Sequence, residues 1–166
     1  CVKPSHPPGH YNAPDNTRRV FRGGGFDPRQ KAFFDALNSQ RTFDAERGAE
    51  KFRIPQYWAT SLSEDVALRF MRSNSGVAHR GHGNSDLQSV LWTISMPADS
   101  LMWNAAQVES SHYQGEQEYL FVPFSTFVVL QVRWNMGTYE QPHRIDVLAM
   151  CDNRNESDYL PTAPWA

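Results

Sequence analysis

The side chains of this sequence best placed to do chemistry are two carboxylates one residue apart, Glu116 and Glu118. They precede a long apolar run rich in β-forming residues, and an extended backbone would point both to the same side. Like charges at this distance raise each other's pKa and destabilise the fold unless a cation or a substrate balances them. We therefore interpret the pair as part of a site. An acidic strand end that faces water is the alternative.

The composition is that of an ordinary folded domain. Of the 166 residues, 40% are hydrophobic and 13% aromatic, which is enough to build a core without metals or repeats. The 16 Lys and Arg against 18 Asp and Glu give a net charge of -2, so no basic surface indicates nucleic acid or an anionic membrane. The apolar run 119 to 132 is interrupted and shorter than the roughly 20 residues that span a bilayer. We predict a single domain over 1-166, a monomer without a membrane span.

One cysteine lies near each end of the predicted fold, Cys1 and Cys151. A bridge between them would tie the N-terminal arm to the last strand and would suit an oxidising compartment. Two unrelated free thiols, or a lipid-bearing Cys1, are the alternatives. Because the chain starts without Met, we expect a processed or truncated product. The predicted location is secreted or extracellular.

The elements that must position the carboxylates follow an α+β pattern, with two helices early and most strands late. Proline and glycine favour an extended arm over 1-17, and a polar tail, 152-166, is expected to be loose. Strands are predicted over 18 to 22, 54 to 61, 90 to 96, 118 to 122, 126 to 133 and 144 to 151. The polar stretch 38 to 53 is expected to continue as helix and loop, and 73 to 86 is expected to be a loop. A zinc site at His79 and His82 in that loop is set aside.

Start signals and apolar stripes define the two helices. Asp27 before Pro28 caps the first, whose inward stripe is predicted to be Ala32, Phe33, Ala36 and Leu37. Ser61 or Ser63 caps the second, whose apolar face is predicted to be Val66, Ala67, Phe70 and Met71. Between strand and helix, Gly23 to Gly25 are expected to turn the backbone sharply and to allow a close approach.

Three sequence segments carry a family resemblance. They are Val20-Phe21-Arg22-Gly23, then Tyr57-Trp58-Ala59-Thr60-Ser61 leading into a helix, then Glu116-Gln117-Glu118 opening a hydrophobic strand pair. Together they resemble the Arg-Ser-Glu class of mono-ADP-ribosyltransferases, which includes bacterial toxins and vertebrate ecto-enzymes. The resemblance covers about 18 to 132. It implies an ADP-ribosyltransferase-like fold, two small mixed sheets around an NAD cleft with flanking helices.

The resemblance also implies roles in binding NAD. Arg22 would contact the phosphates, for which a guanidinium fork is well suited, and the Gly23 backbone would hold the nicotinamide carboxamide. A surface arginine is the alternative for Arg22, and Arg19 is a rival on the opposite face of the strand. Phe70 matches an aromatic residue that stacks on nicotinamide in some members. Because it shares its stripe with Val66 and Ala67, core is the expectation, although a position in the cleft wall could serve both purposes.

The second motif departs from the family pattern. The family has Ser-Thr-Ser, and its first serine helps to orient the catalytic glutamate. Here that position is Ala59, while Thr60 and Ser61 are retained. The resemblance implies Thr60 in cofactor binding and Ser61 in catalysis. The hydroxyl that steadies the glutamate is then missing or comes from a neighbour.

Glu118 matches the catalytic glutamate of the family. It would stabilise the positive charge that develops on the ribose as the bond to nicotinamide breaks. Glu116 matches an acidic position that accompanies arginine as the acceptor, because a carboxylate attracts and orients a guanidinium. His112 and Tyr113 would lie where the family contacts its target, with ordinary turn residues as the alternative.

The resemblance therefore implies NAD-dependent mono-ADP-ribosylation of arginine on a target protein, with NAD as co-substrate and no metal. An NAD glycohydrolase on the same fold and a catalytically silent NAD-cleft module are the alternatives, and Ala59 favours the silent module. The glycines lack the spacing of a dinucleotide-binding turn, and no Gly-Lys-Ser/Thr marks a phosphate loop. Residue types alone leave Ser/His/Asp hydrolysis open, although no nucleophile elbow supports it.

Overall fold

A computed structural model describes residues 17–40, 51–77, 87–97, 101–108, 117–154 and 156–164. In these ranges the strands are β1 (Thr17–Phe26), β2 (Lys51–Ile54), β3 (Trp58–Ser61), β4 (Gln88–Pro97), β5 (Ala105–Gln107), β6 (Glu118–Phe121), β7 (Ser125–Arg133) and β8 (His143–Ala149). The helices are a 3₁₀ turn, Pro28–Gln30, followed by α1 (Lys31–Gln40), and α2 (Glu64–Val77). This is the predicted α+β class.

The strands form one sheet in the order β2-β7-β8-β4-β1-β3-β6-β5. Only β4 and β8 run parallel among the pairs of the described strands. The register between β1 and β3 consists of a single pair, Phe21 with Ser61, whereas β1 and β4 pair from Thr17 to Phe26. Where two small mixed sheets were predicted, this one pair joins two groups of strands into a single continuous sheet.

The core is aromatic and lies between α1 and the sheet. Phe34 of α1 meets Trp92 of β4 edge-on at 5.3 Å between ring centroids, and Trp58 of β3 meets Phe127 of β7 at 5.1 Å. The inward residues of α1 are Phe34 and Leu37, while the predicted Ala32 and Ala36 are exposed. Burying a phenylalanine removes far more apolar area from water than burying an alanine, so the larger side chains take the inward positions.

Helix α2 packs on the other face of β1, where Gly23 lets it come close. A Cβ on Gly23 would lie 2.0 Å from the carbonyl oxygen of Ala67 and 2.7 Å from Cβ of Met71. The glycines were expected to end the strand in a sharp turn, and this is wrong, because β1 continues through them to Phe26, paired with β4. The expected close approach is confirmed.

The C-terminal tail, predicted to be loose, is bound along the edge strand β2. The Arg53 N–H donates to the carbonyl of Pro161 at 2.9 Å, and the Ala163 N–H donates to the carbonyl of Arg53 at 2.8 Å. Lys51 adds an ion pair to Glu156 at 2.6 Å. An edge strand has unpaired N–H and C=O groups, and the tail satisfies those of Arg53. These hydrogen bonds and the ion pair therefore hold the tail against β2 between Glu156 and Ala163.

Several element boundaries also differ from the predictions. Strand β1 begins at Thr17, inside the predicted arm, and α2 continues to Val77 inside the predicted loop 73 to 86. Strand β2 was not predicted, because three of its four residues lie in the stretch 38 to 53 that was expected to be helix and loop. His79 and His82 lie outside the described residues. Neither α-helix in the described ranges has the length and apolar content of a membrane-crossing segment.

The predicted disulfide lacks support from the structure. Cys151 is buried and its thiol is free, while Cys1 lies outside the described residues. The bridge therefore stays a prediction.

His143 is fully buried with both ring nitrogens engaged. The Asn135 N–H donates to Nδ1 at 3.1 Å, and Nε2 lies 2.6 Å from Oε1 of Gln88. Because Nδ1 accepts a hydrogen bond, the single proton of the ring belongs on Nε2, which donates to Gln88. Burial, and to a lesser extent the charge of Lys31, lowers the pKa of His143 below its ordinary value. The fold therefore holds a neutral histidine.

We expect Gly23→Ala to destabilise the protein by about 1–3 kcal/mol, because backbone atoms of α2 must move. Gly24→Ala is the matched control, since a Cβ at Gly24 meets nothing within 4 Å. It should change the free energy of unfolding by less than about 1 kcal/mol. Urea denaturation of both variants checks this. An equal loss of unfolding free energy in Gly23→Ala and Gly24→Ala would contradict the packing of α2 against Gly23.

We also expect acid to destabilise the fold through His143. Because the folded-state pKa is lowered, neutral His143 contributes its full stability above the unfolded-state pKa of about 6.5. That contribution is lost as the pH falls toward the folded-state pKa. The free energy of unfolding should then fall by up to about 1.4 kcal/mol per pH unit. Urea titrations between pH 7.5 and 5 measure the slope, and His143→Asn should flatten it. An unchanged slope in that variant would exclude His143 as the cause.

Candidate active site

A cleft opens where β1 and β3 separate. Its lining comes from β1, β3, α2 and β6, and consists of Phe21, Arg22, Gly23, Ala59, Thr60, Ser61, Val66, Ala67, Phe70 and Glu118. The cleft thus brings together every predicted site residue that the structure describes. The remaining candidates, Glu116, His112 and Tyr113, lie outside the described residues.

Arg22 spans the gap between the two groups of strands. Its Nη1 donates to the backbone carbonyl of Ala59 at 2.6 Å. Because the β1–β3 register ends after one pair, this carbonyl receives its hydrogen bond from a side chain. Burial lowers the pKa of Arg22 from its ordinary value, yet a guanidinium stays protonated at neutral pH. The rival, Arg19, is exposed and does not line the cleft.

A second cavity is lined by Arg22 and by residues of β1, β3, β4 and the 3₁₀ turn. Its lining includes Gln30 and Gln56 as well as Trp58 and Trp92. Arg22 lines both cavities. The guanidinium therefore stands at the boundary between a cleft that contains a carboxylate and a cavity that contains two amides.

Glu118 is half-buried at the start of β6, directly opposite Ser61 of β3. Side chains opposite each other in an antiparallel pair have Cβ atoms about 4.5–5.5 Å apart. The Ser61 Oγ accepts the Ser63 N–H at 3.0 Å, which fixes this oxygen at the start of α2. Ala59 lies opposite Leu120, so the hydroxyl-bearing residue next to Glu118 in the β3–β6 pair is Ser61.

Thr60 borders the cleft but uses its hydroxyl within the protein. The side chain is 5% exposed, and its Oγ1 donates to the carbonyl of Tyr119 at 2.7 Å. Side chains alternate along a strand, so Thr60 shares the inward side of β3 with Trp58. Thr60 therefore joins β3 to β6 beside Glu118.

Phe70 contributes an aromatic ring to the cleft. It is 45% exposed, whereas its helix neighbours Val66 and Ala67 are 3% and 2% exposed. The expectation that Phe70 is a core residue is therefore wrong. It lines the cleft together with residues of β1 and β3, so this position of the stripe borders the cleft.

The backbone before Glu118 differs from the expectation. Gln117 has φ +45°, in the left-handed region, and β6 begins only at Glu118. The extended geometry assumed between Glu116 and Glu118 therefore does not hold at Gln117. Glutamine has no special preference for positive φ, so the sequence carries no signal of this conformation.

No protein-family model and no curated protein sequence matches this chain. Among solved structures it is similar to the Vis toxin, an ADP-ribosyltransferase from Vibrio splendidus. The Vis complex with the M6 inhibitor gives a TM-score of 0.53 and 18% identity over 85% of this chain and 52% of Vis. The Vis complex with agmatine gives a TM-score of 0.52 and 21% identity over 81% of this chain and 49% of Vis.

A second similar structure is that of HopU1, an ADP-ribosyltransferase of Pseudomonas syringae pv. tomato DC3000. Its TM-score is 0.52 with 17% identity, over 81% of this chain and 45% of HopU1. This chain spans about half the length of these proteins. The predicted fold is confirmed: the chain has the fold of the ADP-ribosyltransferases.

Proposed function

We propose that this protein is an NAD-dependent mono-ADP-ribosyltransferase that modifies arginine on a target protein and releases nicotinamide. The observation that carries the proposal is the cleft, where the carboxylate of Glu118, the guanidinium of Arg22 and the ring of Phe70 line one surface. These groups fit the three parts of NAD that such a reaction must hold: a ribose, a diphosphate and an aromatic ring. The fold supports the same reaction class.

Glu118 is the proposed catalytic residue. Transfer breaks the bond between ribose C1′ and the nicotinamide nitrogen, and the bonding electrons leave with nicotinamide while positive charge develops on the ribose. A carboxylate held against the ribose stabilises that charge as it appears. Glu118 is half-buried, so the surrounding water screens its charge less than at an open surface.

Arg22 is the proposed phosphate ligand. One of its donors is bound to Ala59, which holds the fork in place, and a guanidinium has five N–H donors in all. Fixed geometry and a permanent charge suit a diphosphate, whose oxygens accept two parallel hydrogen bonds from a guanidinium. Arg22 would thereby orient NAD relative to Glu118.

Gly23 and Phe70 are proposed to hold the nicotinamide end. Phe70 is the exposed aromatic ring in the lining of the cleft, and an aromatic face can stack on a flat heterocycle. Gly23 brings backbone to the cleft wall without a side chain. Thr60 is proposed to support binding indirectly, because its hydroxyl is bound to Tyr119.

Arginine as the acceptor rests on two observations. The sequence has a second carboxylate, Glu116, two residues before Glu118, and a carboxylate can attract a guanidinium and remove its proton during attack. The similar Vis enzyme has been solved with agmatine, a guanidino compound. The secreted or extracellular location and the monomeric state stay predictions.

The test is to incubate the protein with NAD and agmatine and to quantify nicotinamide and ADP-ribosylated agmatine by mass spectrometry. We expect Glu118→Gln to lower kcat by ~10²-fold or more, because the amide keeps the shape and loses the charge. Glu140→Gln, the same change at an exposed position outside the cleft, is the matched control. Glu116→Gln should abolish labelling of agmatine.

The products distinguish the alternatives. Nicotinamide released without labelled agmatine, and unchanged in Glu116→Ala, would identify a glycohydrolase. NAD binding without any nicotinamide would identify a silent binding module. Labelled agmatine at the parental rate in Glu118→Gln would overturn the proposal.

A paired substitution tests which hydroxyl supports Glu118. Because Ser61 is opposite Glu118 and Ala59 is opposite Leu120, we expect Ser61→Ala to lower kcat about 10-fold, the cost of roughly one hydrogen bond to a charged group. Ala59→Ser should leave kcat within about twofold, since its position in the β3–β6 pair is not beside the carboxylate. Steady-state kinetics with NAD and agmatine measure both. A large gain from Ala59→Ser would show instead that the missing motif serine limits the rate.

A further inference from the structure

We propose that the left-handed backbone at Gln117 fixes the carboxylate of Glu118 in the cleft, which makes Gln117 a positioning residue for the reaction. The inference rests on the proposed function of Glu118. Its observations are separate from that function: the φ angle of Gln117 and the hydrogen bonds accepted by the carbonyls of Gln117 and Glu118.

The conformation of Gln117 is unfavourable for a residue with a side chain. Its φ of +45° lies where Cβ crowds the backbone, and among the described non-glycine residues only Phe124, with φ +62°, shares a positive value. Such a residue persists only where the surrounding structure holds it. The contacts of the neighbouring peptides should therefore show what holds Gln117.

Hydrogen bonds to two different segments hold the peptides around Glu118. The Leu62 N–H, just beyond β3, donates to the carbonyl of Gln117 at 3.1 Å. The Val108 N–H, just beyond β5, donates to the carbonyl of Glu118 at 2.9 Å. The carbonyls of Gln117 and Glu118 thus point to opposite sides. Glu118, the first residue of β6, is fixed between the segments that follow β3 and β5.

The direction of the Glu118 side chain depends on this arrangement. Successive residues of a strand face opposite sides, and a one-residue change of register moves a side chain to the wrong face. The left-handed residue ends the regular backbone at the position where the strand must present Glu118 beside Ser61. If Gln117 became extended, the hydrogen bond from the Leu62 N–H to the Gln117 carbonyl and the pairing of Glu118 with Ser61 would not both be kept.

The test compares Gln117→Val with Gln117→Gly. Valine is β-branched and strongly disfavours positive φ, whereas glycine adopts it without strain. We expect Gln117→Val to lower kcat ~10- to 100-fold with the KM for NAD unchanged, because Arg22 and Phe70 still bind NAD while the carboxylate is displaced. Gln117→Gly should keep kcat within about twofold, although it lacks the amide side chain.

The matched control is Phe124→Val, which places the same residue at the other left-handed position, outside the cleft. It should lower the melting temperature and leave kcat unchanged. Amide hydrogen exchange at Leu62 and Val108 gives a readout that needs no activity. Protection at both should fall in Gln117→Val and persist in Gln117→Gly.

The outcomes separate this inference from the proposed function. A wild-type protein that releases no nicotinamide defeats the proposed function, while amide exchange still tests the positioning. Parental kcat and protection in Gln117→Val would overturn the role of Gln117. If Gln117→Val does not fold, Gln117→Gly decides, because a loss of kcat or of protection there would show that the side chain matters and not the backbone.

Discussion

The hydrogen bond from Arg22 to the carbonyl of Ala59 is the contact on which the rest of the structure depends. The sheet consists of two groups of strands that share one backbone pair, Phe21 with Ser61. Beyond that pair, the gap between β1 and β3 would leave the carbonyl of Ala59 without a partner, and an unpaired backbone group is unfavourable. The half-buried guanidinium of Arg22 fills this role, so the group that closes the gap also gives the cleft its positive charge.

The two sides of the cleft consequently belong to different parts of the sheet. Arg22 and Gly23 come from β1, in the five-stranded group, while Ser61 and Glu118 come from the three-stranded group of β3, β6 and β5. Phe70 comes from α2, which follows β3 in the chain and packs on β1. The distance between the guanidinium and the carboxylate is therefore set by how the groups meet, and the aromatic core around Trp58, Trp92 and Phe127 holds them together.

The sequence predicted which residues meet in the cleft better than how they are held. Motif order brought Arg22, Gly23, Ser61 and Glu118 together, and the apolar patterns located most strands to within a few residues. That Thr60 faces inward could also have been predicted, because it lies two residues after Trp58, an obvious core residue, on the same strand. The exposure of Phe70 could not, since a helix stripe does not show where the sheet beneath it separates.

The backbone conformations of Gln117 and of the glycines of β1 could not be predicted from the sequence, for a different reason. Glutamine at Gln117 has no local preference for a left-handed conformation, and the hydrogen bonds around it come from the segments that follow β3 and β5. The glycines of β1 were interpreted as a turn because glycine permits turns, yet the helix that requires Gly23 lies more than forty residues away in the chain. In both cases tertiary contacts decide between conformations that the local sequence allows equally.

The attachment of the tail to β2 has a consequence for how the protein is made. Arg53 finds its partners at Pro161 and Ala163, more than a hundred residues later in the chain. Until then the edge of β2 is open to strands of other chains, and contacts so distant in sequence form slowly. The nascent protein is therefore exposed to misassembly at β2 until the tail has been synthesised, and a chaperone that covers β2 would act in that interval.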